Sequence, residues 1–249
     1  MKESQDVTFP STGANSTETA VKAFLVHPAA QEESQPHHGS VIVIHEIFGL
    51  TDHIKAVASR LAQAGYTALA IDFFTREGAV PDISQGFAPL REFVGKISDA
   101  QLMADIKAGA RFLHQQPYSN QKVGIVGFCW GGRVSMLSAA NVEEINAAIA
   151  YYGRISGEPT DNQPTYPIDV VAKMKAPLMG HFGAEDQGIP PAEAEKLRAA
   201  LKEHDRAGEI FVYEGAGHAF NNDTRESYNA GAAKLAWERT LAWYARYLN

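Results

Sequence analysis

Short apolar runs alternate with helical periodicities along most of the 249-residue chain. Val41-Ile42-Val43-Ile44 is a continuous apolar run, which is typical of a strand buried on both faces of a parallel sheet. Further strands are predicted at residues 66–71, 122–126, 147–151, 177–182 and 209–213. Because parallel neighbours need crossover helices, and these helices cover both faces of the sheet, the alternation predicts a doubly wound α/β fold.

Apolar side chains with helical spacing mark the connecting helices. One stripe starts at Ile54 and stops at Gly65, and a second starts at Leu102 and stops before Pro117. The stretch between residue 71 and the second stripe carries glycine and proline, so we expect a loop there. Further helices are predicted after residue 129, over residues 190–204 and along the closing stripe of Trp237, Leu241, Tyr244 and Leu248.

The remaining segments are polar or rich in turn-forming residues. Short strands near residues 6–9 and 20–26 predict an N-terminal antiparallel hairpin at the sheet edge, and residues 1–19 are expected to be a peripheral extension. Residues 31–40 are predicted to form a surface loop. The polar, proline-rich residues 154–167 are predicted to form the mouth or lid of a site.

Charge and cysteine content narrow the class of protein. The formal net charge of −7 and the pI near 5.7 provide no basic patch for nucleic acid and no polybasic segment for anionic lipid. No apolar stretch approaches the roughly 20 residues that span a bilayer, and the first residues do not resemble a signal peptide. One cysteine excludes an internal disulfide framework. We therefore expect one cytoplasmic domain over residues 1–249, a monomer or homodimer, whose partner is a small molecule and neither nucleic acid nor membrane.

The cysteine stands in the motif Gly127-Phe128-Cys129-Trp130-Gly131-Gly132, between a predicted strand and a predicted helix. The spacing Gly-x-nucleophile-x-Gly is typical of a nucleophile elbow, because the tight reversal strains the central residue and leaves no room for flanking side chains. A helix N-terminus also stabilises a thiolate. The alternative is a small buried side chain after a core strand. The strand, the glycines and the helix together favour Cys129 as a nucleophile.

A thiol nucleophile needs a base, and the base needs an acid that fixes its orientation. Asp186 follows the strand at 177–182, and His218 follows the strand at 209–213. The carboxyl ends of parallel strands meet at one edge of the sheet, so both side chains can reach Cys129. The order nucleophile, acid, histidine is that of α/β-hydrolases. The alternatives are a surface histidine and an aspartate that only caps a loop.

The segment His45-Glu46-Ile47-Phe48-Gly49 follows the first core strand. Hydrolases of this fold take one oxyanion donor from such a loop and one from the residue after the nucleophile, which here are the N–H groups of Ile47 and Trp130. Glu46 could orient or deprotonate the thiol, or it could be a structural carboxylate. The histidines do not form a His-Glu-x-x-His pattern, so no zinc site is expected.

These motifs resemble the dienelactone hydrolase family, also called carboxymethylenebutenolidases, over residues 20–248. The matching features are His45-Glu46-Ile47-Phe48-Gly49, Asp72-Phe73-Phe74 with Arg76, Gly127-Phe128-Cys129-Trp130-Gly131-Gly132, Tyr151-Tyr152-Gly153, Asp186 and Gly217-His218-Ala219-Phe220. The resemblance implies an α/β-hydrolase fold, no metal or organic cofactor, and a triad of Cys129, His218 and Asp186. It also implies that Glu46 deprotonates or positions Cys129.

The resemblance extends to the substrate-binding residues, with one departure. It implies that Arg76 binds the carboxylate of a dienelactone, and we expect Tyr152, Phe48 and Asn222 to line the same pocket. In the founding members an arginine shortly after the catalytic histidine makes a second carboxylate contact, whereas this chain has Asn221-Asn222-Asp223 there and Arg225 beyond. We therefore expect weaker discrimination for anionic lactones than the founding members show.

The sequence thus favours a cysteine hydrolase that opens a small lactone or ester through an acyl-cysteine intermediate. One alternative is a carboxylesterase for uncharged esters. Another is a non-catalytic relative that binds a ligand or senses oxidants through its thiol. A thiol sensor usually needs a resolving cysteine, which this chain lacks.

Overall fold

The computed structural model describes residues 4–13, 17–28, 38–117 and 119–249, and eight strands of these residues form one sheet. The strands are β1 (Ser4–Ser11), β2 (Thr19–Val26), β3 (His38–Ile44), β4 (Thr67–Ile71), β5 (Ser119–Phe128), β6 (Ile145–Tyr151), β7 (Leu178–Gly183) and β8 (Gly208–Tyr213). The helices are α1 (Asp52–Gln63), α2 (Phe87–Gly95), α3 (Asp99–His114), α4 (Trp130–Asn141), α5 (Pro191–Glu203) and α6 (Ala230–Tyr247).

The strand order is β1-β2-β4-β3-β5-β6-β7-β8. Strands β3 to β8 are parallel, whereas β2 pairs antiparallel with both β1 and β4. The predicted doubly wound α/β sheet and its N-terminal edge hairpin are therefore confirmed. None of the helices in the described part of the chain has the length and apolarity that crossing a membrane requires.

The sheet is buried on both faces because its central strands are apolar throughout. In β3, Ile42 and Ile44 join the core on one face, and Val41 and Val43 join the core on the other. At the sheet edge, Phe9 of β1 is fully buried in the first of these cores. The parallel strands consequently end at one rigid edge, from which the loops that carry the candidate site residues emerge.

Two sequence predictions about loops were wrong. Residues 38–40 belong to β3, where Ser40 pairs with Thr67 and Val123, while residues 29–37 of the predicted loop lie outside the described residues. This strand begins with polar residues, so its first three positions do not belong to an apolar run in the sequence. The small size of Gly39 is also required there, because a Cβ at that position would lie 2.7 Å from the Cβ of Leu248.

The predicted loop after β4 contains α2. Only Leu90 and Val94 of this helix are buried. Its apolar stripe is therefore too short to show a helical period in the sequence. Pro89 stands in the first turn, where the missing N–H has no helical acceptor to lose. This helix matters for the site, because it forms part of the cavity described below.

Candidate active site

Cys129 lies at the sharp turn between β5 and α4, with φ 55° and ψ −114°. A Cβ at Gly127 would lie 1.9 Å from the carbonyl oxygen of Gly131, and a Cβ at Gly131 would lie 2.6 Å from that of His45. Both positions must therefore be glycine for the turn to close. The thiol is half-buried and lines a cavity of about 990 Å³.

His218 and Asp186 meet beside Cys129, as their positions after neighbouring strands indicated. Nδ1 of His218 donates to Oδ2 of Asp186 over 2.7 Å. The other carboxylate oxygen accepts the backbone N–H groups of Gly188 and Ile189 at 2.9 and 3.0 Å. Asp186 is buried, so these bonds fix its orientation and that of the imidazole.

The electrostatics favour a charged imidazole. Burial acts to lower the pKa of His218, but hydrogen bonds to Asp186 and Cys129 and their negative charges outweigh it and raise this pKa to about 10. When the sulfur carries its negative charge, His218 is therefore an imidazolium near neutral pH. A cation at that position stabilises a thiolate.

Ile47 and Trp130, whose N–H groups are the expected oxyanion donors, both line the cavity next to Cys129. The loop that carries Ile47 is held by His45, whose Nδ1–H donates to the Glu46 carbonyl over 2.6 Å and whose Nε2 accepts from Phe73 N–H over 3.3 Å. Burial lowers the pKa of His45 to about 4, so the ring stays neutral and keeps one donor and one acceptor. This role of His45 was not predicted from the sequence, where its position beside Glu46 was the available signal.

The carboxyl group of Glu46 is buried at the cavity wall. Burial raises its pKa, whereas His53, the amide of Asn222, Arg225 and His218 act in the opposite direction. Nδ2 of Asn222 donates to Oε2 of Glu46 over 2.9 Å. Glu46 thus lines the same cavity as Cys129 and His218, and its carboxylate is held there by Asn222.

Asn222, which we expected to bind substrate, contacts Glu46 in the structure. Its side chain is buried, and its Oδ1 accepts from the N–H and the Oγ1 of Thr224 at 3.0 and 2.7 Å. Nδ2 donates one hydrogen bond to Glu46, and Asn222 is absent from the described residues that line the cavity. The structure thus places Asn222 as a support for Glu46, and a contact with substrate stays a prediction.

Arg76 is also not where the resemblance led us to expect it. Its Nη1 lies 2.6 Å from Oδ2 of Asp105, and its Nη2 donates to the carbonyl of Ser11 over 3.3 Å. Asp105 is fully buried, and a buried carboxylate requires such a countercharge. Among the described residues, those that line the cavity do not include Arg76. The structure thus pairs Arg76 with Asp105 instead of placing it at the cavity, and its role as the anchor of a substrate carboxylate stays a prediction.

The cavity has two dissimilar walls. The sheet wall consists of Glu46, Cys129, Asp186 and His218. The cap wall comes from α2 and residues 154–167, and consists of Phe87, Arg91, Val94, Arg154, Gln163 and Tyr166. Phe48 also lines the cavity, and the guanidinium of Arg225 lies 4.4 Å from its ring centroid. Arginines are thus available to a substrate at the cap wall and the rim.

A further arginine ties the cap wall to the fold. Arg133 makes a bidentate pair with Asp99 at 2.7 and 2.8 Å, and its Nη2 also donates to the Thr165 carbonyl. The backbone N–H of Asp99 donates to the carbonyl of Asn162 over 2.8 Å. The predicted mouth at residues 154–167 therefore lies over the site, and this network anchors it to α3 and α4.

Tyr152 lines the cavity, as expected, and lies next to the histidine. Its ring centroid is 5.2 Å from that of His218, and its backbone has φ 39°. The hydroxyl is buried and has no hydrogen-bond partner among the described residues. Burial, together with the charges of Glu46 and Cys129, raises the pKa of Tyr152 well above its usual value. The phenol therefore stays neutral and can donate to a bound oxygen.

Comparisons with known proteins agree with this geometry. The model of the dienelactone hydrolase family matches residues 21–248. A Salmonella typhimurium protein named "Putative carboxymethylenebutenolidase" is 38% identical over 90% of this chain and 82% of its own length. A Bradyrhizobium protein named "Probable 2-oxo-3-(5-oxofuran-2-ylidene)propanoate lactonase" is 35% identical over 84% of each chain.

A solved structure extends the likeness to three dimensions. It is described as a "Putative Dienelactone Hydrolase" from Klebsiella pneumoniae, is 37% identical, and superposes with a TM-score of 0.89 over 99% of this chain and 100% of the other. The match covers both the elbow and the loops that carry Asp186 and His218. On these grounds, the chain belongs to the dienelactone hydrolase family and has its α/β-hydrolase fold.

Proposed function

We propose that this protein opens small lactones or carboxylic esters with Cys129 as nucleophile and through an acyl-cysteine intermediate. Membership of the family makes the chain a hydrolase of lactone or ester bonds. The observation that carries the cysteine mechanism is the convergence of Cys129, Glu46 and the His218–Asp186 pair on one cavity. Thiol chemistry requires a base, an oriented imidazole and oxyanion donors, and residues that could supply all three line the same cavity as the sulfur.

In the proposed first step, Glu46 takes the proton of Cys129 and the imidazolium of His218 stabilises the thiolate. The sulfur attacks the carbonyl carbon, and the N–H groups of Ile47 and Trp130 receive the negative charge on its oxygen. When the C–O bond breaks, His218 donates its proton to the departing oxygen. The product of this step is a thioester at Cys129.

In the second step, water hydrolyses the thioester. Once the sulfur is acylated, it no longer carries the charge that helps to raise the pKa of His218, so the imidazole can remain neutral. Neutral His218 accepts a proton from water, and the resulting hydroxide equivalent attacks the thioester carbonyl. The acid product leaves, and the sulfur recovers its proton from Glu46.

We propose that the substrate is a small unsaturated lactone that carries a carboxylate. The Bradyrhizobium relative is named for a furanone lactone with a propanoate group. In this chain, Arg225 at the rim and Arg154 at the cap wall are the arginines that we assign to such a carboxylate. A carboxylesterase for uncharged esters is the second candidate, because Arg76 and Asn222 are both committed to other residues.

Turnover of a small substrate panel tests the proposal. The panel contains a carboxylate-bearing enol lactone, its methyl ester and a short-chain aryl ester, each assayed with the wild type and with Cys129→Ala. We expect the wild type to hydrolyse all three and to favour the acid lactone. Failure to hydrolyse any of them would favour a ligand-binding or thiol-sensing relative.

We also propose a cellular compartment and an oligomeric state for the enzyme. With a single cysteine, the chain has no need of an oxidising compartment, and we place the enzyme in the cytoplasm. We further propose that residues 1–249 form a single catalytic domain. It would act as a monomer or homodimer on a small molecule, with no nucleic-acid or membrane partner.

A further inference from the structure

Arg133 lies one turn after the nucleophile and contacts the cap wall. Its backbone N–H donates to the carbonyl of Cys129 over 3.3 Å, so it belongs to the first turn of α4. Its side chain is buried and lines the cavity. The guanidinium lies 4.9 Å from the ring centroid of Tyr166, and Nη2 donates to the Thr165 carbonyl over 2.8 Å. One side chain thus joins the helix that starts at the nucleophile to the segment that lies over it.

Residues 155–168 of that segment form a loop whose ends lie close together. The N–H of Ile168 donates to the carbonyl of Ile155 over 3.2 Å, which closes the base of the loop. At the tip, the N–H groups of Thr160 and Gln163 each donate to the carbonyl of the other residue, at 3.0 and 3.1 Å. The intervening chain is largely irregular, so contacts with neighbouring elements determine where the tip lies.

The tip of the loop is held by α3 and by the end of α2. The backbone N–H of Asp99 donates to the Asn162 carbonyl over 2.8 Å, and Nδ2 of Asn162 donates to the carbonyl of Gly95 over 3.1 Å. The carboxylate of Asp99 accepts from both Nη groups of Arg133, at 2.7 and 2.8 Å. The Arg133–Asp99 pair therefore contacts the loop directly and reaches α2 through Asn162.

Stability alone does not explain this pair. Burying two charges costs several kcal/mol for each ion, and apolar side chains of similar volume are often as stable as a buried ion pair. Nε of Arg133 adds to the cost, because it is buried and has no hydrogen-bond partner among the described residues. The bidentate geometry, in contrast, fixes how α3, α4 and the loop lie relative to one another.

We propose that Arg133 is a positioning residue that, paired with Asp99, sets the distance between the cap wall and Cys129 and thereby limits the size of the group that reaches the sulfur. Selection among esters rests on the proposed function, whereas access to the thiol does not. Tyr166 of the loop and Val94 of α2 both line the cavity. When the pair is broken, these side chains move away from the elbow and larger groups reach Cys129.

A second buried pair on α3 provides a matched control. The carboxylate of Asp105 lies 2.6 Å from Nη1 of Arg76, and neither residue is among the described residues that line the cavity. Asp99 and Asp105 thus share the helix, the burial and an arginine partner, but it is Asp99 that contacts the cap wall. Asp→Asn at either position removes the charge and keeps the shape, so both variants report a weakened ion pair.

The dependence of thiol alkylation on reagent size tests this proposal on the full chain. Cys129 is the one cysteine, so alkylation reports access to it without substrate or turnover. The reagents are iodoacetamide and its N-pyrenyl derivative, which share the reactive group and differ in size. The measured quantity is the rate constant for the pyrenyl reagent divided by that for iodoacetamide. A change in thiol reactivity affects both rate constants and cancels in this ratio.

Breaking the pair should raise the ratio. We expect an increase of about tenfold in Asp99→Asn, because the closed arrangement loses a charge-assisted hydrogen bond. Arg133→Lys keeps the charge but loses the bidentate geometry, so it should raise the ratio by a similar factor. Asn162→Ala, which removes the bond to Gly95, should raise it by less. Asp105→Asn should leave the ratio unchanged.

Hydrogen exchange locates the change. In Asp99→Asn, the amides of residues 154–167 should exchange faster, whereas those of β5 should keep their wild-type rates. A wild-type ratio in Asp99→Asn, or an equal rise in Asp105→Asn, would overturn the proposal. Circular dichroism monitors folding, and if Asp99→Asn and Arg133→Lys are both unfolded, Asn162→Ala decides, with an unchanged ratio counting against the proposal. Because alkylation needs no ester, a raised ratio in a protein without hydrolytic activity would contradict only the proposed function.

Discussion

The sheet wall and the cap wall of the cavity differ in how their side chains are held. On the sheet wall, Asp186 is buried and accepts three hydrogen bonds, and Cys129 is fixed by a turn that only glycine neighbours permit. On the cap wall, Phe87 is 48% exposed and Arg154 is also exposed. In the proposed mechanism, the strand ends supply the chemistry, whereas side chains of a short helix and an irregular segment select the substrate. The proposal therefore assigns reaction type and substrate choice to separate parts of the molecule.

The largest effect should come from the sheet wall. We expect Cys129→Ala to lower kcat/KM by about 10⁴-fold or more, and His218→Ala to have a comparable effect, because such groups act as a unit. Steady-state kinetics on the aryl ester measure both. Near-native turnover by Cys129→Ala, with the melting temperature unchanged, would contradict the role of the thiol.

Glu46→Gln should have the next largest effect. The amide preserves the shape and the contact with Asn222 but cannot act as a base, so we expect turnover to fall by about 10²-fold with little change in melting temperature. Kinetics and thermal unfolding across the pH range measure this. Unchanged turnover at every pH would reduce Glu46 to a structural residue of the wall.

Substrate charge tests the separation of the two walls. The measured quantity is kcat/KM for the acid lactone divided by kcat/KM for its methyl ester. We expect Arg225→Gln or Arg154→Gln to lower this ratio by about tenfold, which corresponds to a loss of roughly 1.4 kcal/mol in binding of the carboxylate. Arg76→Gln is the matched control. It should leave the ratio unchanged. It should also lower the free energy of unfolding by about 3 kcal/mol, because the buried carboxylate of Asp105 loses its positively charged partner. A ratio that depends on Arg76 would restore its expected role as anchor.

The remaining prediction concerns the stability of the folded protein and not its turnover. The pKa of His218 is raised from 6.5 to about 10 in the folded protein, so protonation favours folding. This contribution is complete below about pH 6.5 and is lost as the pH rises through about 10. Denaturant unfolding should therefore show the wild type losing stability relative to His218→Gln over this interval. Parallel profiles would mean that the imidazolium is not stabilised in the folded state.

The sequence predicted the sheet wall better than the cap wall, for a physical reason. The elbow around Cys129 and the strands before Asp186 and His218 are local patterns, since the residues that set them are neighbours in the chain. The structure brings these side chains together at one edge. Their catalytic roles stay predictions until the variants are measured.

The placements that the sequence did not predict depend on contacts between distant residues. Arg76 pairs with Asp105, a buried residue of α3 that no local motif links to it. Asn222 is directed to Glu46 by a hydrogen bond that spans 176 positions of the chain. The helix α2 buries too few apolar residues to be read as periodic. Side-chain partners of this kind are set by tertiary packing, which a single sequence does not reveal.

The most direct test of the central claim is the mass of the enzyme trapped during turnover. An activated aryl ester is mixed with the wild type, the reaction is quenched in acid, and the protein and its peptides are weighed. We expect one acyl group per chain, located on the peptide that carries Cys129. Product formation with the acyl group on another residue, or with no acyl group on any peptide, would contradict the acyl-cysteine mechanism.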